Sequence, residues 1–299
     1  QRPDGSVIEW HLPVLGEVAK FCRERQALSH EAVLVPQIAL VHSGPESYVG
    51  ASRLFLSERR TGMLGLLNAL LDSQNVVDIT LPHYLLNRAA DYSLIIIPEW
   101  PNLGESLKSC LLGYVESGGS LLALGAESSR LFALELDVAP IGEVELAAVK
   151  FIEYAGEVNG NVGDYQRVAL GEKAREFARL FADFGAAGPS ETAASLTEYG
   201  RGRIGAVYLD LGKFYNGAAT AITRRLLNGL VRELFPNPIV EVRGSQFVEV
   251  VLTRKGKTTI VHLINSNGHQ RNPSVHVFDE ITPVGPLEVG MRVDAKPRE

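Results

Sequence analysis

Residues able to do chemistry are scarce in these 299 residues, and they are not grouped. The seven histidines are His11, His30, His42, His83, His262, His269 and His276. None stands at His-x-x-x-His or His-x-His spacing with nearby acids, so the sequence offers no local metal site. His262 and His276 fall in strand patterns and read as packed or surface residues. Cys22 and Cys110 are the only cysteines, and both sit in helical patterns among apolar neighbours. They read as two buried thiols, not as a disulfide framework or a C-x-x-C ligand pair. There is no G-x-S-x-G elbow and no phosphate-binding glycine loop. Gly118-Gly119 follows a helix and opens a strand, whereas a phosphate cradle needs strand, glycines, then helix. No catalytic residue, metal ligand or cofactor site is therefore expected.

What remains is location. Ligands of doubly wound sheets gather at the carboxyl ends of strands, near the point where strand order reverses. In this chain those ends carry His42, Ser43 and Tyr48, then Glu99 and Trp100, then Glu127. His42, Tyr48, Glu99 and Trp100 are the substrate-binding candidates. An exposed Trp100 beside a carboxylate suits stacking on a sugar face. The alternative is that Trp100 covers an insertion or a neighbouring domain.

The elements that would position these residues centre on 91–125. Leu94-Ile95-Ile96-Ile97 and Leu121-Leu122-Ala123-Leu124 are short apolar runs closed by Pro98 and Gly125, as strands buried on both faces should be. Between them Leu103, Leu107, Cys110, Leu111, Tyr114 and Val115 recur at helical spacing, and Gly118 stands where a C-cap glycine belongs. This predicts a right-handed parallel βαβ unit. Gln37 to His42 predicts a strand before it, Thr61 to Asp72 a helix, and Val76 to Ile79 a second strand. Ile204 to Asp210 predicts a fifth strand, and about Ala218 to Phe235 a helix stopped by Pro236-Asn237-Pro238. The fold class is thus α/β, a flavodoxin-like, doubly wound parallel sheet.

Three further stretches surround that core. Leu12 to Gln26 predicts a helix whose stripe of Leu15, Val18, Ala19, Phe21 and Cys22 has no sheet of its own to cover, and Ser29 to Pro36 reads as a linker. Residues 126–200 read as an insertion, with a short strand at Val149 to Tyr154 and a helix from Glu172 to Phe184. From Ile239 the period changes to two. Phe247 to Leu252 and Thr259 to Leu263 then make a hairpin across Lys255-Gly256, continued by Val275, Val277 and Val289. The expected division is 1–36 helix and linker, 37–236 α/β domain, and 237–299 a small, partial all-β sandwich domain.

Hydrophobic content of 45% and charged content of 21% suit a globular protein. A net charge of -6 argues against a nucleic-acid surface. No apolar run reaches the roughly 18 residues of a membrane span. A cytoplasmic placement is the expectation.

The succession Asp91-Tyr92-Ser93-Leu94-Ile95-Ile96-Ile97-Pro98, Tyr114-Val115-Glu116-Ser117-Gly118-Gly119-Ser120-Leu121-Leu122 and Tyr199-Gly200-Arg201-Gly202-Arg203 resembles a known module. It is similar to the class I glutamine-amidotransferase-like "trimerisation" domain that follows the catalytic barrel in glycoside hydrolase family 42 β-galactosidases. It is also similar to the equivalent domain of α-L-fucosidase-like bacterial proteins. Val248 to Val250 and Ile260 to Asn265 resemble the β domain that ends such proteins. The family's catalytic carboxylates lie on the barrel, and no stretch here matches barrel strands. The resemblance implies a non-catalytic accessory and oligomerisation region of a carbohydrate-active hydrolase. Its partners would be an upstream barrel of the same protein, further copies of itself and carbohydrate. Leu12 to Gln26 would be the last helix of that barrel. The competing expectation is a self-contained amidotransferase-like hydrolase, which needs a Cys on the turn after the fourth strand. That turn reads Gly125-Ala126-Glu127, without a nucleophile.

Overall fold

The computed structural model describes residues 4–42, 58–267 and 281–293. Ser43, Tyr48, His269, Val275, His276 and Val277 lie outside the described residues. The chain separates into one compact unit of residues 1–35 with 251–262 and a larger one of 36–250 with 263–299.

In chain order the elements begin with α1 (His11–Ser29), β1 (Val33–Leu34), β2 (Ile38–Val41), α2 (Glu58–Leu71), β3 (Val77–Thr80) and α3 (Pro82–Leu85). They continue with β4 (Leu94–Ile97), α4 (Glu105–Glu116), β5 (Ser120–Leu124), α5 (Ala126–Leu131), β6 (Val138–Pro140), β7 (Glu145–Tyr154) and β8 (Glu157–Tyr165). Next are β9 (Val168–Leu170), β10 (Arg175–Phe181), β11 (Glu191–Tyr199), β12 (Gly202–Val207), α6 (Leu211–Ala218) and α7 (Ala221–Leu234). The last are β13 (Val240–Arg243), β14 (Val248–Lys255), β15 (Thr258–Asn265) and β16 (Glu288–Met291).

The larger unit is built on a nine-stranded sheet in the order β3-β2-β4-β5-β12-β11-β10-β7-β8. The first five strands pair in parallel. The other four extend the sheet antiparallel. The sheet is therefore mixed, which corrects the expectation of a wholly parallel one. Its parallel half forms because every residue of β2, β4 and β5 is buried and apolar apart from Ser120. Ser120 is satisfied, donating through Oγ to the Leu234 carbonyl at 2.7 Å. Helices cover both faces of this half. A Cβ on Gly202 would meet Val115 of α4, and one on Gly205 would meet Leu234 of α7. Positions 202 and 205 of one strand point to opposite sides of the sheet.

The antiparallel half comes from the stretch that the sequence marks as an insertion. Its expected helix, Glu172 to Phe184, is instead the strand β10, hydrogen-bonded to β11 on one side and β7 on the other. Two-sided pairing outweighs the helix preference of a segment rich in Glu, Lys, Ala and Arg. The helix expected from about Ala218 to Phe235 is α7, and a further short helix, α6, precedes it, the two separated where Ala219 turns left-handed at φ 48°. A small antiparallel pair joins β13 to β16.

In the smaller unit, the expected linker contains β1, which pairs with β14 through Val33–Arg254 and Leu34–Thr253. Helix α1 has no buried residue, and Leu12, Leu15, Val18 and Phe21 are all exposed. Cys22 is exposed too, against the expectation of a buried thiol, while Cys110 is half-buried. Among the described residues no helix is long and apolar enough to cross a membrane.

Candidate functional site

Within the larger unit, a cavity of about 240 Å³ opens at the carboxyl ends of β4, β5 and β12. Pro98 and Glu99 leave β4, Leu124 and Gly125 end β5, and Asp210 and Leu211 follow β12. Helix α2 supplies Gly62, Met63 and Leu66, and the β7–β8 region supplies Val144, Leu146 and Asp164. The cavity therefore lies where parallel strands give way to the antiparallel extension. It is displaced along the sheet from β2, where the reversal of strand order would place it.

Glu99 is its central acid. Oε1 accepts a hydrogen bond from the Glu127 main-chain N–H at 3.0 Å. Oε2 is enclosed and has no hydrogen-bond partner among the described residues. The side chain folds back over Gly125, where a Cβ would come within 1.6 Å of Oε2. With φ +105° as well, position 125 requires glycine for two independent reasons. Burial pushes the Glu99 carboxyl up to about 8, and the neighbouring Asp210 and Glu127 push the same way. At neutral pH Glu99 is mostly protonated and can donate a hydrogen bond as well as accept one.

Asp210 is the second acid, only 4% exposed. It caps α6, its Oδ1 accepting from the Lys213 main-chain N–H at 3.1 Å, with Lys213 Nζ 3.7 Å from Oδ2. Burial raises its pKa, opposed by the Lys213 N–H and ammonium. Asp164 is held against the same wall. Its carbonyl accepts from the Asp210 N–H at 3.0 Å, and its Oδ1 from the Ala147 N–H at 2.9 Å. The α2–α6 side of the cavity is a backbone contact. A Cβ on Gly65 would lie 1.9 Å from the Gly212 carbonyl oxygen, and one on Gly212 would lie 2.1 Å from that of Gly62.

This arrangement can bind hydroxyl or amine hydrogens with several carboxyl oxygens and return one proton from Glu99. Among the described residues no serine, threonine, cysteine or histidine lines the cavity. Ala126 occupies the turn after β5 and is fully buried. Cys110 lies elsewhere, its Sγ 3.7 Å from the Leu86 carbonyl. Among the described residues no group of three or more His, Cys, Asp or Glu is placed to hold a metal ion.

Of the three binding candidates among the described residues, Glu99 alone lines the cavity. His42 follows β2 and bonds through its main-chain N–H to Thr80, and Tyr48 lies outside the described residues. Trp100 is not exposed. At 4% exposure it belongs to the core, so the aromatic face offered to a sugar is withdrawn. Ser128 fixes this turn, its Oγ 2.5 Å from the Pro98 carbonyl and 3.4 Å from that of Trp100. Sequence reasoning missed Asp210, Asp164 and Lys213. An Asp directly after a strand and before a helix was the available signal for Asp210.

No protein-family model matches the chain, and no curated protein matches it in sequence. Solved structures do. α-L-Fucosidase isoenzyme 2 from Paenibacillus thiaminolyticus superposes with a TM-score of 0.76 at 17% identity, covering 98% of this chain and 47% of that one. A catalytic mutant of Gan42B, a GH42 β-galactosidase from G. stearothermophilus, gives 0.69 at 14% identity, over 88% and 39%. The β-galactosidase from Bacillus circulans sp. alkalophilus gives 0.64 at 14% identity, over 85% and 39%. The chain spans less than half the length of each. It shares with these glycoside hydrolases a fold, over that part of their length.

Proposed function

We propose that this chain is a non-catalytic accessory and oligomerisation region of a carbohydrate-active glycoside hydrolase, whose acid and nucleophile lie on a barrel elsewhere in the protein. The observation that carries this reading is the turn after β5. Ala126 stands where an amidotransferase-like enzyme needs its cysteine nucleophile, and among the described residues no Cys, Ser or Thr lines the adjacent cavity. On this reading residues 1–36 are a helix and linker belonging to the barrel, 37–236 the α/β domain and 237–299 a β domain, in a cytoplasmic protein. The unburied stripe of α1 supports it, because a helix with four exposed large apolar residues on one stripe lacks the surface that would cover it.

The second reading, a self-contained small-molecule hydrolase, is favoured by one observation: the buried carboxyls of Glu99 and Asp210 line the same cavity, as an acid and a base of a hydrolase would. Assaying the chain alone on nitrophenyl β-galactoside, nitrophenyl α-fucoside and glutamine separates the two. Background rates are expected throughout. Turnover that disappears in Glu99→Gln overturns the accessory reading. Hydrogen exchange gives a second check: α1 should exchange much faster than α4, and equal protection in a monomer would remove α1 from the argument.

A further inference from the structure

At the opposite ends of the strands, still within the larger unit, two cavities adjoin. One, of about 190 Å³, runs along the starts of β2 and β3, with Val76, Phe235, Pro236 and Pro238 as its apolar wall and Asn75, Asn228 and Glu241 among its polar lining. The other, of about 380 Å³, is an open shelf whose charged lining among the described residues is Arg224, Arg225, Arg232 and Arg243. Ser73, Gln74, Asn228, Arg232 and Val242 line both, so the apolar slot opens onto the arginines.

The ion pairs on this surface engage three of the four arginines, each through only part of its guanidinium. Glu241 holds Arg232 and Arg243 through Nη2 of each, at 3.2 and 3.1 Å. Arg225 pairs with Glu157 through Nη1. Arg224, half-buried, has no carboxylate partner among the described residues, and its Nη1 donates to the Asp72 main-chain carbonyl at 3.1 Å. A guanidinium carries five N–H donors in a fork that matches oxyanions, so each arginine keeps donors beyond these bonds. In a chain of net charge -6 such a shelf is a local reversal of sign.

We propose that this groove binds a small aromatic phosphate or sulfate ester, with its ring in the apolar slot and its oxyanion on the arginine shelf. Charge complementarity selects the anion, and the slot selects a flat apolar body. The site is independent of the accessory reading and of the carboxyl-end cavity.

Isothermal titration calorimetry of the chain at fixed ionic strength tests this with four probes: phenyl phosphate, phenyl sulfate, inorganic phosphate and phenol. Phenyl phosphate or phenyl sulfate should bind at least about tenfold more tightly than inorganic phosphate, because only the esters bury an aromatic ring. Phenol should not bind. The ester that binds more tightly identifies the anion. Arg224→Gln combined with Arg243→Gln should abolish binding. Should that variant fail to fold, Arg225→Gln with Arg243→Gln, both at half-exposed positions, should weaken it by about tenfold or more. No ester binding at millimolar concentration overturns the proposal. So does binding that either folded double variant leaves unchanged, or an ester affinity equal to that of inorganic phosphate.

Discussion

At the carboxyl ends of β4, β5 and β12 the cavity is lined by Glu99, Glu127, Asp164 and Asp210 with one cation, Lys213, whereas at the amino ends of β2 and β3 the groove is lined by four arginines with one acid, Glu241. The signs are opposite, but the more instructive difference is burial. Glu99 and Asp210 are withdrawn from water, so their environment moves their protons. Arg225, Arg232 and Arg243 remain half in solvent, where ion pairs are screened and individually weak. The same sheet thus carries one site whose chemistry is set by the interior and one set by the surface. Substitutions should separate them by size of effect.

The largest effect belongs to the residue after Glu99. Trp100→Ala should cost about 3–5 kcal/mol in urea denaturation, as for other buried large aromatics. Trp100→Phe should cost far less, because the enclosed indole N–H has no partner to lose. A small loss in Trp100→Ala would mean that this turn is not core.

Next comes the crossing of α2 and α6. Gly212→Ala places a methyl group against the Gly62 carbonyl and should lower stability by about 1–3 kcal/mol, the range for overpacking. Gly217→Ala, in the same helix with open space around it, should be neutral or slightly stabilising. Equal behaviour of the two would show that the helices do not meet at their backbones.

The third effect depends on pH. The Glu99 carboxyl is held above its ordinary 4.5, at about 8, so the folded state keeps a proton that the unfolded chain has released. Stability therefore falls as pH rises from about 4.5 to about 8 and levels off above that. Glu99→Gln cannot ionise and should lose this slope. Melting curves at pH 5 and pH 9 should show the variant gaining on the wild type by several degrees, at ~2–4 °C per kcal/mol for a unit of this size. A constant difference across that range would sink the buried-proton account. The smallest effect lies at the groove, where Glu241→Gln should change stability by less than about 1 kcal/mol despite breaking two ion pairs.

The core strands were legible because they are buried on both faces, which leaves an uninterrupted apolar run as the trace in β4 and β5. The βαβ unit followed, along with Gly118 at the end of α4, where φ is +109°. Strand β10 was not legible. Arg175, Glu176, Ala178 and Leu180 are good helix formers, and only the two neighbouring strands force them into a ladder bent by register shifts around Ala178. Trp100 misled for a related reason: two flanking prolines suggest an exposed loop, but Ser128, 28 residues on, ties that loop down. Glu99 was found because strand ends are visible locally. Its companions Asp164 and Asp210 were not, since β8 and β12 meet only through a bridge between Tyr165 and Leu209.

The glycine contacts around the carboxyl-end cavity divide its boundary into a hard wall and a soft one. On the α2–α6 side the limit is main chain against main chain at Gly62, Gly65 and Gly212, and at β5 it is Glu99 lying on Gly125. No change of side chain can widen those walls, and any enlargement there closes on backbone. Across from them stands Leu146, 77% exposed and free of such constraint. Selection acting on what this cavity admits would therefore work through Leu146 and its neighbour Val144, at little cost to the fold. The hard wall would keep the shape of the site constant while its tolerance for ligands drifted.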